Sequence, residues 1–177
     1  EITDNHDYLK NRIHKDKQQI LLVLGGPNKY YKYDKKSIGE IFQTLKILAK
    51  KNDLQILVIP SMRTPINTIH YADKFFGEES IVIKNVDKKA YLSALSISKF
   101  LVITCDSTSM ISEAALTGKP IYVAQISPKR NDLRFRQFRD LFSKLNIIRN
   151  LEDKLEIWNY EKLDETNRVA NIIKNKI

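Results

Sequence analysis

The stretch Ile20-Leu21-Leu22-Val23-Leu24-Gly25-Gly26-Pro27 decides the fold. Five apolar residues in unbroken succession, halted by two glycines and a proline, describe a strand buried on both faces; a half-exposed strand would alternate instead. Strands of that kind belong to parallel sheets covered by helices. Outward along the chain the run recurs at Ile56-Leu57-Val58-Ile59, Ile81-Val82-Ile83, Phe100-Leu101-Val102-Ile103 and Ile121-Tyr122-Val123-Ala124. Between the runs lie segments of helical period. Ser37 and Glu40 have the spacing of a capping box ahead of the Ile41/Leu45/Leu48 face. Thr64-Pro65 offers a cap followed by proline at the first helical position. Asp87 can cap a helix carrying Tyr91, Leu92 and Leu95, and Ser109–Leu116 is helical up to Gly118.

Strand and helix thus alternate five times. Right-handed crossovers turn that alternation into an α/β fold: a doubly wound parallel sheet, Rossmann-like, with helices on both faces and strand order 3-2-1-4-5. Residues 1–19 are polar and read as a lead-in or linker, helical around Tyr8–Ile13; residues 20–177 read as one domain. Past Ala124 a polar loop leads to a helix with Phe135, Phe138, Leu141 and Phe142. Ile147-Ile148 then suggests a short edge strand, and a last helix from Asp164 has Val169, Ile172, Ile173 and Ile177 as its apolar stripe.

Composition narrows the class further. With 177 residues, 42% of them hydrophobic and 29% charged, the chain is ordinary globular material and not a disordered one. Cys105 is the single cysteine, so no internal disulfide can form, and a reducing, cytoplasmic setting is the simpler expectation. No apolar run approaches the roughly 20 residues that span a bilayer. The first residue is Glu1 and not Met, which reads as a piece of something larger. The formal net charge of +9 favours phosphate-bearing partners, although a solvated basic surface explains it as well.

In a doubly wound sheet, ligands bind beyond the carboxyl ends of the strands, where the strand order reverses. Three loops at that edge draw the eye. Gly25, Gly26, Asn28 and Lys29 follow the first strand; glycines allow close backbone approach, and a plain tight turn explains them equally. The loop is neither a Walker sequence nor a G-x-G-x-x-G fingerprint. Ser61, Arg63 and Thr64 follow the second strand, where free helix N–H groups and a guanidinium suit an oxyanion. The third loop is the densest: Asp106, Ser107, Thr108, Ser109, Ser112 and Glu113 place hydroxyls and N–H groups at a helix start, with Glu113 one turn beyond Ser109. A diphosphate on the serine turn would leave Glu113 free to accept the two hydroxyls of a ribose. Catalytic constellations are thin. Cys105 has no histidine partner, and His6, His14 and His70 lack metal-ligand spacing. Asp106 has a second reading as the residue that fixes the turn through backbone N–H groups.

These residues carry a resemblance. Leu24-Gly25-Gly26-Pro27-Asn28, Ser61-Met62-Arg63-Thr64-Pro65 and Asp106–Ala114 with Gly118-Lys119-Pro120 resemble the mitochondrial fission ELM-type family of bacteria and plants. So do Arg134-Phe135-Arg136-Gln137-Phe138, Glu156–Tyr160 and Glu165–Ala170. The third loop is similar to the donor motif in the C-terminal domain of glycosyltransferases built from two facing Rossmann-like domains (the GT-B type). The resemblance implies that this chain is the C-terminal, donor-binding half, and that an N-terminal partner domain is missing. It implies a nucleoside diphosphate sugar as ligand; with the histidines scattered, no metal is expected, nor any covalently bound cofactor. Ser107 and Ser109 would meet the diphosphate, Glu113 the ribose, and Gly25-Gly26 would face the cleft. Two departures stand out: Arg149-Asn150-Leu151 where Arg-Pro-Phe is the family pattern, and Met62 where a second arginine is common.

The expectation is therefore a nucleotide-sugar-binding domain, with Lys29, Arg63 and Arg134 as charge partners and no turnover by the isolated domain. The competing expectation is a non-catalytic interaction or scaffold domain that touches the inner membrane peripherally. A nucleic-acid surface, suggested by Tyr30, Tyr31 and Tyr33 among Lys29, Lys32, Lys35 and Lys36, ranks last because no nucleic-acid module accompanies it.

Overall fold

The computed structural model describes residues 2–162. Six strands run parallel in one sheet: β1 (Gln18–Leu24), β2 (Leu54–Pro60), β3 (Ile81–Val82), β4 (Phe100–Thr104), β5 (Ile121–Ala124) and β6 (Ile148–Asn150). Their order is β3-β2-β1-β4-β5-β6, the expected arrangement plus the short edge strand signalled by Ile147-Ile148. β1 is central: Leu22 lies opposite Val58 on one side and Val102 on the other. From Ile20 to Leu24 every residue is buried, as an apolar run without alternation requires.

The connecting helices are α1 (Lys35–Lys51), α2 (Ile66–Phe76), α3 (Lys88–Ile97), α4 (Thr108–Ala115) and α5 (Leu133–Lys144). Asp87 caps α3 by accepting the Ala90 N–H, as expected. Ser37 is not the cap of α1. Asp34 is, accepting the Ser37 N–H in an extended conformation, so the helix begins before the supposed capping box. Asp34 satisfies the Ser37 N–H, whereas a box capped by Ser37 would have used the Glu40 N–H one turn later. Pro65 itself occupies the cap position of α2 without a side-chain bond. Thr64 is turned elsewhere, its hydroxyl set against the carbonyls of Leu24 and Gly25 at the end of β1. α4 begins at Thr108, one residue earlier than the helix read from sequence, and Ser107 caps it by accepting from the Met110 N–H.

The polar start of the chain packs. A 3-10 helix, Thr3–Leu9, lies on α3, somewhat before the helical stretch expected at Tyr8–Ile13. Leu9 is fully buried there and donates its N–H to the Ser93 hydroxyl, which donates in turn to the His6 carbonyl. Beyond β6, Trp158 is buried and its indole N–H reaches the Asn146 carbonyl at 2.8 Å. The helix expected from Asp164 lies outside the described residues.

Candidate functional site

The order of strands reverses between β1 and β4, and the loops leaving β1, β2 and β4 meet there. The buried carboxylate of Asp106 is the post around which they assemble. It accepts the Gly26 N–H at 2.9 Å, the Tyr33 hydroxyl at 2.7 Å and an Arg63 N–H at 3.1 Å. Arg63 also donates to the Gly26 carbonyl at 2.8 Å, and Thr104 accepts the Gly25 N–H at 2.8 Å. The reading of Asp106 as the residue that fixes the turn is therefore what the geometry shows. Burial and the neighbouring carboxylate hold the Tyr33 hydroxyl well above its ordinary pKa, so it remains a donor.

The two glycines answer to this assembly. A Cβ on Gly25 would stand 2.2 Å from an Asp106 oxygen, and one on Gly26 would stand 2.0 Å from the Arg63 carbonyl. Their missing side chains let three loops close on one another. Close approach was anticipated, but the partner is the protein's own backbone and carboxylate.

Against this post lies a cavity of about 490 Å³, within the usual range for small-molecule sites. Ser61, Arg63, Ser107, Ser109 and Glu113 line it, so five of the residues singled out from sequence do converge. Gly25, Gly26, Thr64 and Asp106 stand behind as its scaffold. Asn28, Lys29, Thr108, Ser112 and Arg134 do not line it. The Asn28 side-chain Oδ1 instead accepts the N–H groups of Tyr30 and Tyr31, Lys29 lies over the Tyr30 ring, and Arg134 is exposed on the first turn of α5. The wall also contains residues the sequence reading passed over: Met62, Val86, Lys88, Tyr91 and Met110. Tyr91 and Met110 look like helix core by periodicity, and Val86 sits in a loop without a motif.

Ser107 Oγ lies 3.3 Å from Ser109 Oγ and accepts the Met110 N–H at 3.5 Å. The first N–H groups of α4 lack helical carbonyl partners, and the positive end of the helix favours an anion. Glu113 follows on the same side of α4, exposed to the cavity. A guanidinium has five N–H donors, so the two internal bonds of Arg63 leave it capacity for a ligand oxygen. Together these groups put a guanidinium, two hydroxyls and one carboxylate on the wall of a single cavity.

A second cluster was illegible in the sequence. Arg139 of α5 donates to the Tyr31 hydroxyl, the Cys105 carbonyl and the Asp132 carboxylate, and Tyr31 donates to Asp132 at 2.5 Å. This knot ties the β5–α5 loop to the loop after β1, helped by the Lys129 N–H on the Tyr30 carbonyl at 2.8 Å. It turns Tyr31 fully inward, while Tyr30 packs on Phe135 and Tyr33 on Asp106. Tyr31 is thus enclosed, and Tyr30 and Tyr33 are half-buried against partners within the protein. Cys105 is buried behind the knot, its thiol pushed up to about 11 by burial, and it serves as packing.

A parallel sheet whose strand order reverses between β1 and β4, with helices between the strands, defines the class: a Rossmann-like α/β domain. The solved structures agree at the level of fold. The UDP-GlcNAc 2-epimerase of Neisseria meningitidis, bound to UDP-GlcNAc, superimposes with a TM-score of 0.53 at 13% identity over 98% of this chain and 43% of that one. The S. aureus MnaA structure with UDP gives 0.57 at 16% identity over 84% of this chain and 40% of that one. The chain belongs to the mitochondrial fission ELM1 family, whose model matches residues 1–177. Among curated relatives it is 30% identical to the uncharacterized protein RP120 of Rickettsia prowazekii, over 89% of this chain and 46% of that protein. It is 25% identical to the mitochondrial fission protein ELM1 of Arabidopsis thaliana, over 91% of this chain and 38% of that protein. The chain thus spans less than half the length of the curated relatives it matches.

Proposed function

We propose that this chain is the donor-binding half of a glycosyltransferase-type protein and that its cavity takes a nucleoside diphosphate sugar. The diphosphate rests on the Ser107–Ser109 turn against the start of α4, Arg63 neutralises part of its charge, and Glu113 accepts the ribose hydroxyls. The observation that carries this reading is the meeting of Ser107, Ser109, Arg63 and Glu113 in one cavity at the switch point. It is supported by fold relatives whose structures hold UDP-GlcNAc and UDP.

In such a site the sugar departs as its bond to the diphosphate breaks, and negative charge grows on the leaving phosphate. Preoriented N–H donors and a guanidinium stabilise that charge without reorganising. The residues here supply the leaving-group side of the reaction. The acceptor side and any base fall to a second domain, consistent with a chain that spans under half of its relatives. The 177 residues alone bind donor without turning it over. A thermal-shift screen of uridine, guanosine, adenosine and cytidine diphosphates and their sugar conjugates tests the proposal. A ligand of the folded state raises the apparent stability, by about 2.7 kcal/mol at a hundredfold excess over Kd. A flat response to all of them contradicts it.

A scaffold role at a membrane surface is the second reading. One observation favours it: Lys29, Lys32, Lys35, Lys36, Lys129, Arg130 and Arg134 are all exposed on the loops and helix starts beyond β1 and β5. No helix among the described residues is long and apolar enough to cross a membrane, so contact would be peripheral. Binding to anionic vesicles without any nucleotide response would select this reading.

A further inference from the structure

Tyr91 of α3 and Glu113 of α4 both line the cavity, as neighbours on its wall. Tyr91 Oη is buried, yet it has no hydrogen-bond partner among the described residues. A phenolic hydroxyl can both donate and accept, and leaving one buried and unmade is costly. Natural sequences have a cheap remedy in phenylalanine, which fills the same volume without the oxygen. The hydroxyl is also close enough to Glu113 for the carboxylate, after burial, to raise its pKa well above the ordinary tyrosine value. An unmade donor and an exposed carboxylate thus stand together on the wall of one cavity, one turn beyond the serine turn.

We propose that Tyr91 is a specificity-determining residue of the cleft. Its hydroxyl and the Glu113 carboxylate form a two-pronged receptor for a vicinal diol, so the ligand is a ribonucleotide and not its deoxy counterpart. The inference rests on the nucleotide reading above. The carboxylate only accepts, and each sugar hydroxyl donates one hydrogen to it. The hydroxyl oxygens then still have lone pairs to satisfy, and the Tyr91 O–H supplies the donor that a carboxylate cannot. Ligand binding would complete the bond that the free protein leaves open. Removing the tyrosine oxygen should accordingly weaken binding without weakening the fold.

The test titrates the 177-residue chain and its Tyr91→Phe variant with the four ribonucleoside 5′-diphosphates and with the 2′-deoxy and 3′-deoxy forms of the tightest. The wild type is expected to prefer the ribo form by at least about tenfold, the scale of hydrogen bonds to a charged group. Tyr91→Phe should lose roughly three- to tenfold in affinity for the ribo form and nothing for the deoxy form that lacks its partner hydroxyl. Its melting temperature should stay level or rise, because a buried unmade hydroxyl has been removed. An equal loss for all three ligands, or no loss at all, overturns the inference while leaving nucleotide binding intact. A fall in melting temperature with unchanged selectivity also overturns it, by showing Tyr91 bonded to Glu113 for structural reasons. A wild-type chain that binds none of the diphosphates overturns both the inference and the reading beneath it.

Discussion

Two arginine–aspartate pairs sit on the same edge of this sheet and do different work. Arg63 meets Asp106 at 3.1 Å with 41% of the arginine side chain exposed, and it borders the cavity. Arg139 meets Asp132 at 3.2 Å with only 12% exposed, and it faces Tyr31 and the Cys105 carbonyl. In both pairs the aspartate is buried and collects several donors. The difference lies in what the arginine has left over. Arg139 spends its donors inside the protein and fastens two loops together. Arg63 is anchored on one side and open on the other, as a group that meets a ligand must be. Burial of the carboxylate is common to both pairs; exposure of the cation separates them.

The comparison can be broken most readily at Asp132. Asp132→Ala leaves the enclosed Arg139 without its carboxylate and Tyr31 without an acceptor, and it should cost about 3–5 kcal/mol of stability, read from urea unfolding. Nucleotide affinity, measured where the variant remains folded, should change little. A larger effect on binding than on stability would erase the distinction between the pairs. Asp106→Ala should cost somewhat less, about 3 kcal/mol, because water can reach Arg63. It should also abolish binding, since Gly26, Arg63 and Tyr33 all lose their common post.

Within the cavity the effects are smaller and fall on affinity alone. Glu113→Gln should keep the fold and weaken nucleotide binding by about 1.5–3 kcal/mol. Ser109→Ala should cost about 1 kcal/mol, because the backbone N–H groups at the start of α4 remain. Calorimetric titration separates the two variants, and equal losses would mean that the helix start is not the principal anion contact.

The least conspicuous effect is a pH dependence of the closed pair. Burial works to raise the pKa of Asp132, but the Tyr31 hydroxyl and Arg139 outweigh it and hold the carboxyl below its ordinary 3.8. A depressed pKa in the folded state contributes stability above the unfolded value, and this is lost as pH falls through the folded one. The stability gap between wild type and Asp132→Asn should therefore be constant near pH 6 and narrow below about pH 4. A gap that widens in acid would refute the assigned role.

The sheet was legible because its evidence is local and repeated. Each apolar run is long enough to exclude alternation, and chirality then leaves few ways to order the strands. The convergence of Ser61, Arg63, Ser107, Ser109 and Glu113 followed from that topology. What escaped was whatever depends on side chains meeting across loops. Asp34 and Ser37 both had the chemistry of a cap, and only the backbone angles chose between them. Tyr30, Tyr31 and Tyr33 looked like an exposed aromatic-basic stretch, because their partners Phe135, Asp132 and Asp106 lie 70 or more residues away in the chain. Gly25 and Gly26 signalled close approach correctly but not its object. Tyr91 fits the apolar face of α3, and nothing in a helical period announces a hydroxyl left without a partner.

The central claim is that the open arginine, the serine turn and Glu113 hold a nucleoside diphosphate at the switch point. Amide hydrogen exchange with and without a saturating nucleoside diphosphate tests it most directly, because it reports where binding occurs as well as whether it does. The account predicts slowed exchange at Ser109, Met110 and the loop containing Arg63, with the Tyr31–Asp132–Arg139 knot unchanged. Protection confined to the exposed basic loops after β1 and β5, or absent throughout, would contradict it.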